Sequence, residues 1–586
     1  MQFRAAQMVR ALRFGGLALA LLLGPVDILG PRVLAQDKTT PAKAKSKVGL
    51  VLNDPRACQG YTLLAPLNSK NTYLIDMQGR VVRLWKSDCI TAGNATLLEN
   101  GHLLRAGTIP NPPFFGGGAG GRVQEFTWDG KVVWDWAYHS DTELPHHEVR
   151  HLPNGNMLML LWDKMPPKEV IAAGRRPETL GKDSLLSCSV IEVKPTGPKS
   201  GDIVWAWHVW DHLVQDFDPK KANFGDVAAH PERIDLNFGD GVLAAMVAKP
   251  AELAKLQAIG YIGGTNRKPR RPQQDWLHLN SVDYNPELDQ IMVSVHEFSE
   301  IWIIDHSTTT AEAAGHTGGR YGKGGDLLYR WGNPRAYRAG GVKDQQLFSQ
   351  HNAHWIPRGL PGEGHVLIFN NGMRRRGGSY SSVDEIVLPV DASGHYVSSQ
   401  GKAFGPDKPV WSYSAPKRYE FFASFISGAQ RLPNGDTLIC SGPNGTVFEV
   451  TPTKETVWKY VNPDAAGRFP FGGPPGGAFP FGGPPRPGTL LPGFLQGFLH
   501  ISDKQRKELE AVETDIGDRL TKLLTDDQKK HLRNRPRGFG DFPQPGQVMS
   551  SAVAERLKLS KDQKQQLAAL QKEADGKLDK LLTKRL

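Results

Sequence analysis

The chain has 586 residues, with 71 lysines and arginines against 60 acidic residues, a formal net charge of +11 at pH 7. A basic surplus attracts anionic partners without identifying one. Because no arginine-rich helix or nucleic-acid-binding motif accompanies it, and part of it lies in the C-terminal tail, the composition argues against nucleic-acid binding.

The first 35 residues have the pattern of a secretory signal peptide. Three arginines precede the apolar run Leu17–Leu23, which is too short to span a bilayer, and Val33-Leu34-Ala35 fits a small-residue cleavage site. We therefore expect a periplasmic or secreted protein without stable membrane insertion, and residues 36–47 are expected to form a disordered spacer.

The cysteines Cys58, Cys89, Cys188 and Cys440 are the only ones in the chain. In an oxidising compartment they allow one or two disulfides, and four cysteines allow three full pairings. We favour Cys58 with Cys89, because both lie in the first two repeats described next. The cysteine spacing fits no zinc site.

Six short repeats consist of an aliphatic residue followed three places later by an aromatic residue. The pairs are Val82/Trp85, Val133/Trp136, Val204/Trp207, Leu328/Trp331, Val410/Tyr413 and Val457/Tyr460. Repeats on the order of 50 residues, rich in strand-forming residues, indicate a β-propeller with one blade per repeat. The fold class predicted is therefore all-β, a six-bladed propeller over residues 48–462, with an α-helical tail.

The third repeat shows the expected blade of four antiparallel strands best. An inner strand 147–152 turns at Pro153-Asn154-Gly155, and strands 157–161, 189–193 and 203–207 follow. The first blade lacks an inner strand, so either residues 48–52 supply it or the chain ends close the ring together. Residues 208–275, with a helical stretch near 243–256, are too long for a loop between blades and predict an insertion.

Beyond residue 462 the composition changes. Residues 463–497 form a Gly/Pro-rich linker, and residues 498–586 contain an internal repeat in which 502–525 align with 560–583. Each copy has helical apolar spacing and begins with Ser-x-x-Gln, a capping signal. The copies resemble the "LTxxQ"-type helices of small periplasmic stress proteins. They are expected to form an amphipathic hairpin or a tail that binds a partner protein.

Histidines recur where inner strands begin. Counting five residues back from the apolar residue before the inner turn gives His147 in the third blade and His351 in the fifth, and His278 lies six before Tyr284 in the fourth. Since inner strands begin at the channel mouth, these imidazoles are expected to converge. Converging imidazoles bind a metal or hold an oxyanion and move protons. No H-x-H spacing is present, and we assign neither a metal nor a cofactor.

Several stretches make the chain resemble the bacterial arylsulfotransferases, which are periplasmic six-bladed propellers. The more specific ones are Asp275-Trp276-Leu277-His278-Leu279-Asn280-Ser281 and Gln350-His351; the run Phe369-Asn370-Asn371-Gly372 also matches. The family transfers a sulfuryl group between phenols through a transient sulfohistidine. The resemblance implies that His278 and His351 hold the sulfate together with Arg375 or its neighbour Arg374, and Asn280 and His296 join the predicted substrate site.

The resemblance breaks at the nucleophile. The family's nucleophilic histidine is expected in the last blade, where Thr446 stands in this chain, and no histidine occurs between His395 and His500. His147 or His354 is the predicted substitute. Two functions follow from this pattern. The first is sulfuryl transfer from an aryl sulfate to a phenol; the alternative is a catalytically silent secreted propeller whose cationic mouth binds a sulfated or other anionic ligand.

Overall fold

The computed structural model describes residues 4–5, 48–239, 274–463, 488, 490, 503–533, 547–549 and 551–583, apart from residues 68, 115, 181–183, 377 and 398–400. The chain divides into two compact units, residues 1–468 and 469–586. Most of the predicted signal peptide, spacer and linker lie outside the described residues, as does the helical stretch predicted near 243–256.

The first unit is the predicted six-bladed propeller of antiparallel sheets. From the axis outward, the first blade consists of Tyr61–Leu64, Asn71–Ile75 and Val81–Lys86, and the second of Thr91–Leu97, Leu103–Thr108, Gly121–Phe126 and Val132–Ala137. The third consists of Glu143–His151, Met157–Met165, Leu185–Gly197 and Ser200–His208, and the fourth of Leu279–Asn285, Gln290–Val295, Glu300–Asp305 and Tyr329–Trp331. The fifth consists of His351–Trp355, Val366–Asn370, Ser382–Ile386 and Trp411–Tyr413, and the sixth of Gly428–Arg431, Thr437–Ser441, Thr446–Val450 and Thr456–Val461. The four strands predicted for the third blade lie in the expected order.

The ring closes through the N-terminal part of the propeller. Gly49–Asn53 pairs antiparallel with the outer strand Thr456–Val461, so the last blade has five strands. Residues 48–52 therefore do not supply the inner strand of the first blade, and the second alternative, closure by the chain ends, is the one observed. In the described part of the first blade, only Arg4–Ala5 pairs on the inner side of Tyr61–Leu64.

A ring of indole hydrogen bonds joins each blade to the next. One tryptophan on each outer strand donates its Nε1–H to a backbone carbonyl of the following blade: Trp85 to Thr127, Trp134 to Ser200, Trp207 to Gly325, Trp331 to Pro406, Trp411 to Pro452 and Trp458 to Met77. The six donors belong to the six predicted repeats. The aromatic residues of these repeats thus pack and hydrogen-bond between blades, whereas several aliphatic partners, such as Val82 and Val204, remain exposed.

The insertion between the third and fourth blades has little regular structure over its described part. Leu213–Val214 pairs in parallel with Ile234–Asp235, and 3-10 turns occur at Val209–His212 and Val227–Ala229. At its far end Gln274–Asp275 adds in parallel to the third blade. The other helices described in this unit are short: Pro167–Ala172, Pro177–Thr179, Thr310–Ala313, Pro334–Tyr337, Val342–Asp344, Arg418–Glu420 and Gly442–Asn444.

All four cysteines are free thiols, so the favoured Cys58–Cys89 disulfide is wrong. Cys58 packs against the cluster that joins the last blade to the first. The Cys89 thiol instead lies 3.5 Å from the guanidinium of buried Arg105. The two thiols therefore belong to different packing environments.

The second unit contains helices Asp503–Leu523, Asp526–Arg533, Ser551–Arg556 and Lys561–Thr583. The two long helices pack together with a two-fold relation that follows the sequence repeat. Gln505 donates its side-chain N–H to the carbonyl of Leu581, and Gln563 donates equivalently to Leu523, both at 2.8 Å. Ser560 and Gln563 form the predicted capping box. In the described parts of both units, no helix has the length and apolarity that crossing a membrane requires.

Candidate functional site

Five histidines from three neighbouring blades form a continuous row of rings at the inner strands. His146 and His147 lie on the inner strand of the third blade, His278 and His296 flank the inner two strands of the fourth, and His351 begins the inner strand of the fifth. Successive ring centroids are 5.1, 4.6, 5.2 and 5.4 Å apart in the order His146, His147, His278, His296, His351. The convergence predicted for His147, His278 and His351 is therefore observed.

Irregular backbone places these rings side by side. The inner ladders of the third, fourth and fifth blades each shift register beside a histidine: between His146 and Val149, between Leu279 and Ser281, and between His351 and His354. His147 and His278 also adopt left-handed φ values of 56° and 52°, a conformation that costs energy for a residue with a Cβ. Bulges of this kind re-aim side chains beside functional sites.

Carboxylates orient two of the five rings. The Nδ1 of His278 lies 2.6 Å from Asp275 Oδ2, and the Nδ1 of His296 lies 2.8 Å from Glu297 Oε1. A carboxylate at Nδ1 holds the proton there, so the neutral ring carries its lone pair at Nε2, and it stabilises the imidazolium that forms when Nε2 takes up a proton. His278 and His296 are thus arranged to act as bases through Nε2.

His351 has partners at both ring nitrogens. Its Nε2 accepts from the backbone N–H of Ile426 at 3.2 Å, so its Nδ1–H donates to Asn371 Oδ1 at 2.8 Å. Asn371 is itself fixed by donating to the carbonyls of Ala423 and Ile426. His351 therefore connects the fifth blade to the sixth, and in this conformation both of its nitrogens are occupied by protein groups.

His147 presents an unpaired nitrogen to the row. Its Nδ1 lies 2.7 Å from the Nδ1 of His146, so one proton is shared between these atoms. Its Nε2 is buried without a hydrogen-bond partner among the described residues, and the whole residue is only 6% exposed. Leaving a buried polar atom unpaired costs about 1–3 kcal/mol, which a bound substrate that pairs with Nε2 would recover.

A glycine-rich loop of the second blade covers the same two histidines. The N–H of His147 donates to the carbonyl of Gly118, and a Cβ added at Gly118 would lie 2.6 Å from the His147 ring. Trp162 stacks on His146 with ring centroids 4.2 Å apart, and a Cβ at Gly116 would lie 2.4 Å from that indole. Only glycines allow the loop to approach this closely.

Three of the five histidines in the row favour the uncharged form. Burial, together with the neighbouring imidazoles, lowers the pKa of His146, His147 and His351 well below its ordinary value of 6.5. Neutral imidazoles have a nucleophilic lone pair, whereas imidazolium ions do not. The electrostatics at this part of the row thus favour a nucleophile or base over a permanently cationic anion site.

The other predicted site residues lie apart from the row or at its edge. His354 donates from Nδ1 to the carbonyl of Asn352, and its charged neighbours are Asp283 and Arg150 further along the inner strands. The side-chain Nδ2 of Asn280 donates to the backbone carbonyl of Gln350, beside His351. The Oδ1 of the same side chain is buried without a hydrogen-bond partner in the described part of the chain.

Both candidate arginines have partners within the fifth blade or its loops. The Arg375 guanidinium packs on the rings of Tyr380 and Phe348 and donates to Ser382 at 2.5 Å. Arg374 is exposed, and its backbone N–H donates to Ser379. The Nε of Arg375 is buried without a hydrogen-bond partner among the described residues.

Thr446 begins the third strand of the last blade, where it is half-buried and its hydroxyl lies 3.3 Å from the carbonyl oxygen of Asn444. The last blade reaches the row instead through its inner segment, where Ile426 bonds His351.

Three elements of the site were missed from the sequence: His146, the orienting carboxylates Asp275 and Glu297, and the glycine-rich loop 116–121. Each has a local signal in retrospect. His146 directly precedes His147, the carboxylates lie at Asp-x-x-His and His-Glu, and five glycines occur within six residues.

Comparison with known proteins gives one informative match. The model of the arylsulfotransferase (ASST) family matches residues 35–465. No curated protein matches the chain. Solved structures with similarity include a Bacteroides caccae protein of unknown function, with 10% identity, a TM-score of 0.35, and coverage of 69% of this chain and 94% of that one. The virginiamycin B lyase of Staphylococcus aureus has 7% identity, a TM-score of 0.30, and coverage of 72% and 87%.

Proposed function

Because the chain belongs to the arylsulfotransferase family, we propose that it transfers a sulfuryl group from an aryl sulfate ester to a phenolic acceptor, at the histidine row in the channel of the propeller. The observation that carries this proposal is the buried, unpaired Nε2 of His147, whose ring is flanked at 4.6 Å by the ring of His278. The substrates are thus a small aryl sulfate and a phenol.

In the proposed reaction His147 takes the place of the nucleophile that the last blade lacks. When the Nδ1–H of His147 donates a hydrogen bond to the Nδ1 of His146, the lone pair of the neutral His147 ring is at Nε2. This nitrogen forms a bond to sulfur while the bond from sulfur to the aryl oxygen breaks, and the phenolate leaves with the electron pair. The sulfuryl group is then carried on His147.

The second half returns the group to an oxygen. The acceptor phenol gives its proton to Nε2 of His278, whose imidazolium Asp275 stabilises, and its oxygen displaces the sulfuryl group from His147. His278 then passes the proton to solvent, which restores the starting state. When His296 is protonated, Glu297 stabilises its imidazolium, and its Nε2–H donates to the sulfuryl oxygens, whose negative charge grows during transfer.

A second function is favoured by one observation, the threonine at position 446. Without the family's last-blade histidine the propeller would bind a sulfated ligand in the same channel without turning it over.

We also propose, from the N-terminal pattern of residues 1–35, that the protein acts in the periplasm or outside the cell.

The test measures release of a coloured phenol from an aryl sulfate in the presence of a second phenol. His147→Asn is the informative variant, because asparagine tolerates the left-handed backbone at this position. His151→Asn is the matched control, since His151 is exposed at the far end of the same strand. We expect His147→Asn to lower the transfer rate at least ~1,000-fold and the control to keep it.

Two outcomes would decide against transfer by His147. Equal rates in wild type and His147→Asn would exclude His147 as nucleophile. Binding of the aryl sulfate with no transfer in the wild type would establish the silent binding propeller instead.

A further inference from the structure

A second cluster of ligand-type side chains lies away from the histidine row, where the insertion begins. His212 belongs to the turn after the outer strand of the third blade, His316 follows helix Thr310–Ala313, and Asp326 precedes the outer strand of the fourth blade. One ligand atom from each of the three lies within 4.8 Å of the others, and no other group of this kind occurs in the described ranges of the chain.

The hydrogen bonds show how the two rings are oriented. Both point Nδ1 at Asp326 Oδ1, His212 at 2.9 Å and His316 at 2.8 Å. The Nε2 of His212 lies 2.8 Å from the carbonyl oxygen of Ala313, which can only accept, so Nε2 carries the hydrogen. In the neutral ring the lone pair is then at Nδ1, facing a carboxylate oxygen. Either a proton on Nδ1 or a metal ion bound by both atoms makes this contact favourable.

The surrounding structure fixes this arrangement. Trp207 stacks on the His212 ring with centroids 5.6 Å apart and donates to the carbonyl of Gly325. A Cβ at Gly325 would lie 2.0 Å from the carbonyl oxygen of Ala313 and 2.6 Å from Nε2 of His212. Glycine is therefore required at this position, and His212 is held in a single orientation.

We propose that His212, His316 and Asp326 bind one divalent transition-metal ion, with Zn²⁺ the best fit. Two imidazole nitrogens and a carboxylate oxygen are ligands that zinc accepts. A histidine that binds zinc through one ring nitrogen usually donates the N–H of the other to a carbonyl or carboxylate, which fixes the orientation of the ring. The ion pairs found in the described part of the chain join Asp326 to these histidines and to no lysine or arginine.

The exposure of the three residues sets the coordination. His212 is fully buried and Asp326 is 5% exposed, whereas the His316 side chain is 44% exposed. The fourth position of a tetrahedral ion therefore faces solvent and takes a water molecule. Because the ligands come from three separate segments, the metal ties the start of the insertion to the fourth blade.

The experiment uses the full chain, stripped of metal with a chelator and titrated with Zn²⁺ in a calorimeter. The informative variants are His316→Ala, which removes a half-exposed ligand without opening the core, and Asp326→Asn. His230→Ala is the control, since His230 lies in the same insertion, is similarly exposed, and pairs with Glu232 instead. Co²⁺ is the second probe, because its visible spectrum reports the coordination geometry.

We expect one Zn²⁺ site that His316→Ala weakens at least about 10-fold, that Asp326→Asn also weakens, and that His230→Ala leaves unchanged. Bound Co²⁺ is expected to give tetrahedral absorption bands that disappear in His316→Ala. Failure of the wild type to bind Zn²⁺, or equal affinity in wild type and His316→Ala, would overturn the proposal and assign the cluster to a proton-bridged ion pair.

Discussion

Replacing His306 with glutamine is expected to remove a pH-dependent link between the third and fourth blades. His306 lies 2.8 Å from Glu192 of the third blade through Nε2 and 2.7 Å from Asp289 of the fourth through Nδ1. Burial lowers its pKa, but the hydrogen bonds and charges of the two carboxylates outweigh burial and raise the pKa to about 9. The protonated ring therefore bridges the two blades at neutral pH.

The magnitude follows from the shift. Because the folded-state pKa lies above the ordinary value of 6.5, protonated His306 stabilises the fold fully below pH 6.5, and this stabilisation is lost as the pH rises through about 9. A shift of this size corresponds to about 3 kcal/mol. The destabilisation caused by His306→Gln should accordingly be about 3 kcal/mol larger at pH 6 than at pH 10.

The assay is urea unfolding of wild type and variant at a series of pH values, followed by tryptophan fluorescence. Comparing the two chains at each pH cancels the titration of other groups. Glu192→Gln is the control, since removing one carboxylate should shrink the pH-dependent step without abolishing it. A difference between wild type and His306→Gln that does not change from pH 6 to pH 10 would refute the reasoning.

Three further changes test other parts of the account. Gly118→Ala forces a Cβ to 2.6 Å from the His147 ring at a φ of 78°. We expect about 1–3 kcal/mol of destabilisation, measured by thermal unfolding. Sulfuryl transfer should also be slower, as measured by release of the coloured phenol. Arg330→Met leaves the Glu300 carboxylate buried without its fully buried partner, so urea unfolding should show a loss of about 3–5 kcal/mol. Gln563→Ala removes a helix-terminal hydrogen bond in the tail; it should destabilise the tail by about 1 kcal/mol and leave phenol release unchanged.

The propeller could be predicted from its sequence because each blade repeats the same packing problem. Every blade must bury an aromatic side chain on its outer strand, and this requirement leaves a visible period. The indole hydrogen bonds show a second reason for the pattern. Trp458 donates to Met77 across the closure of the ring, so this tryptophan links the first and last blades. Neither the partners of the indoles nor the fifth strand of the last blade follows from periodicity alone.

The site could be predicted only in part. Counting along the inner strands placed His147, His278 and His351 together because the three histidines precede the inner turn by nearly the same number of residues. The bulges that turn the rings toward one another depend on contacts between blades, such as Ile426 with His351, and a local pattern does not encode these. The same applies to Arg375, whose side chain packs on Tyr380 within its own blade.

The central claim is that His147 carries the sulfuryl group, and peptide mapping by mass spectrometry after a brief reaction with an aryl sulfate tests it most directly. The reaction should be quenched under alkaline conditions, because sulfur–nitrogen bonds to imidazole are labile in acid. We expect the mass of one SO₃ group on the peptide containing His147, lost when an acceptor phenol is added and absent from His147→Asn. The group found on another residue, or transfer to phenol with no modified peptide in a rapidly quenched wild type, would contradict the account.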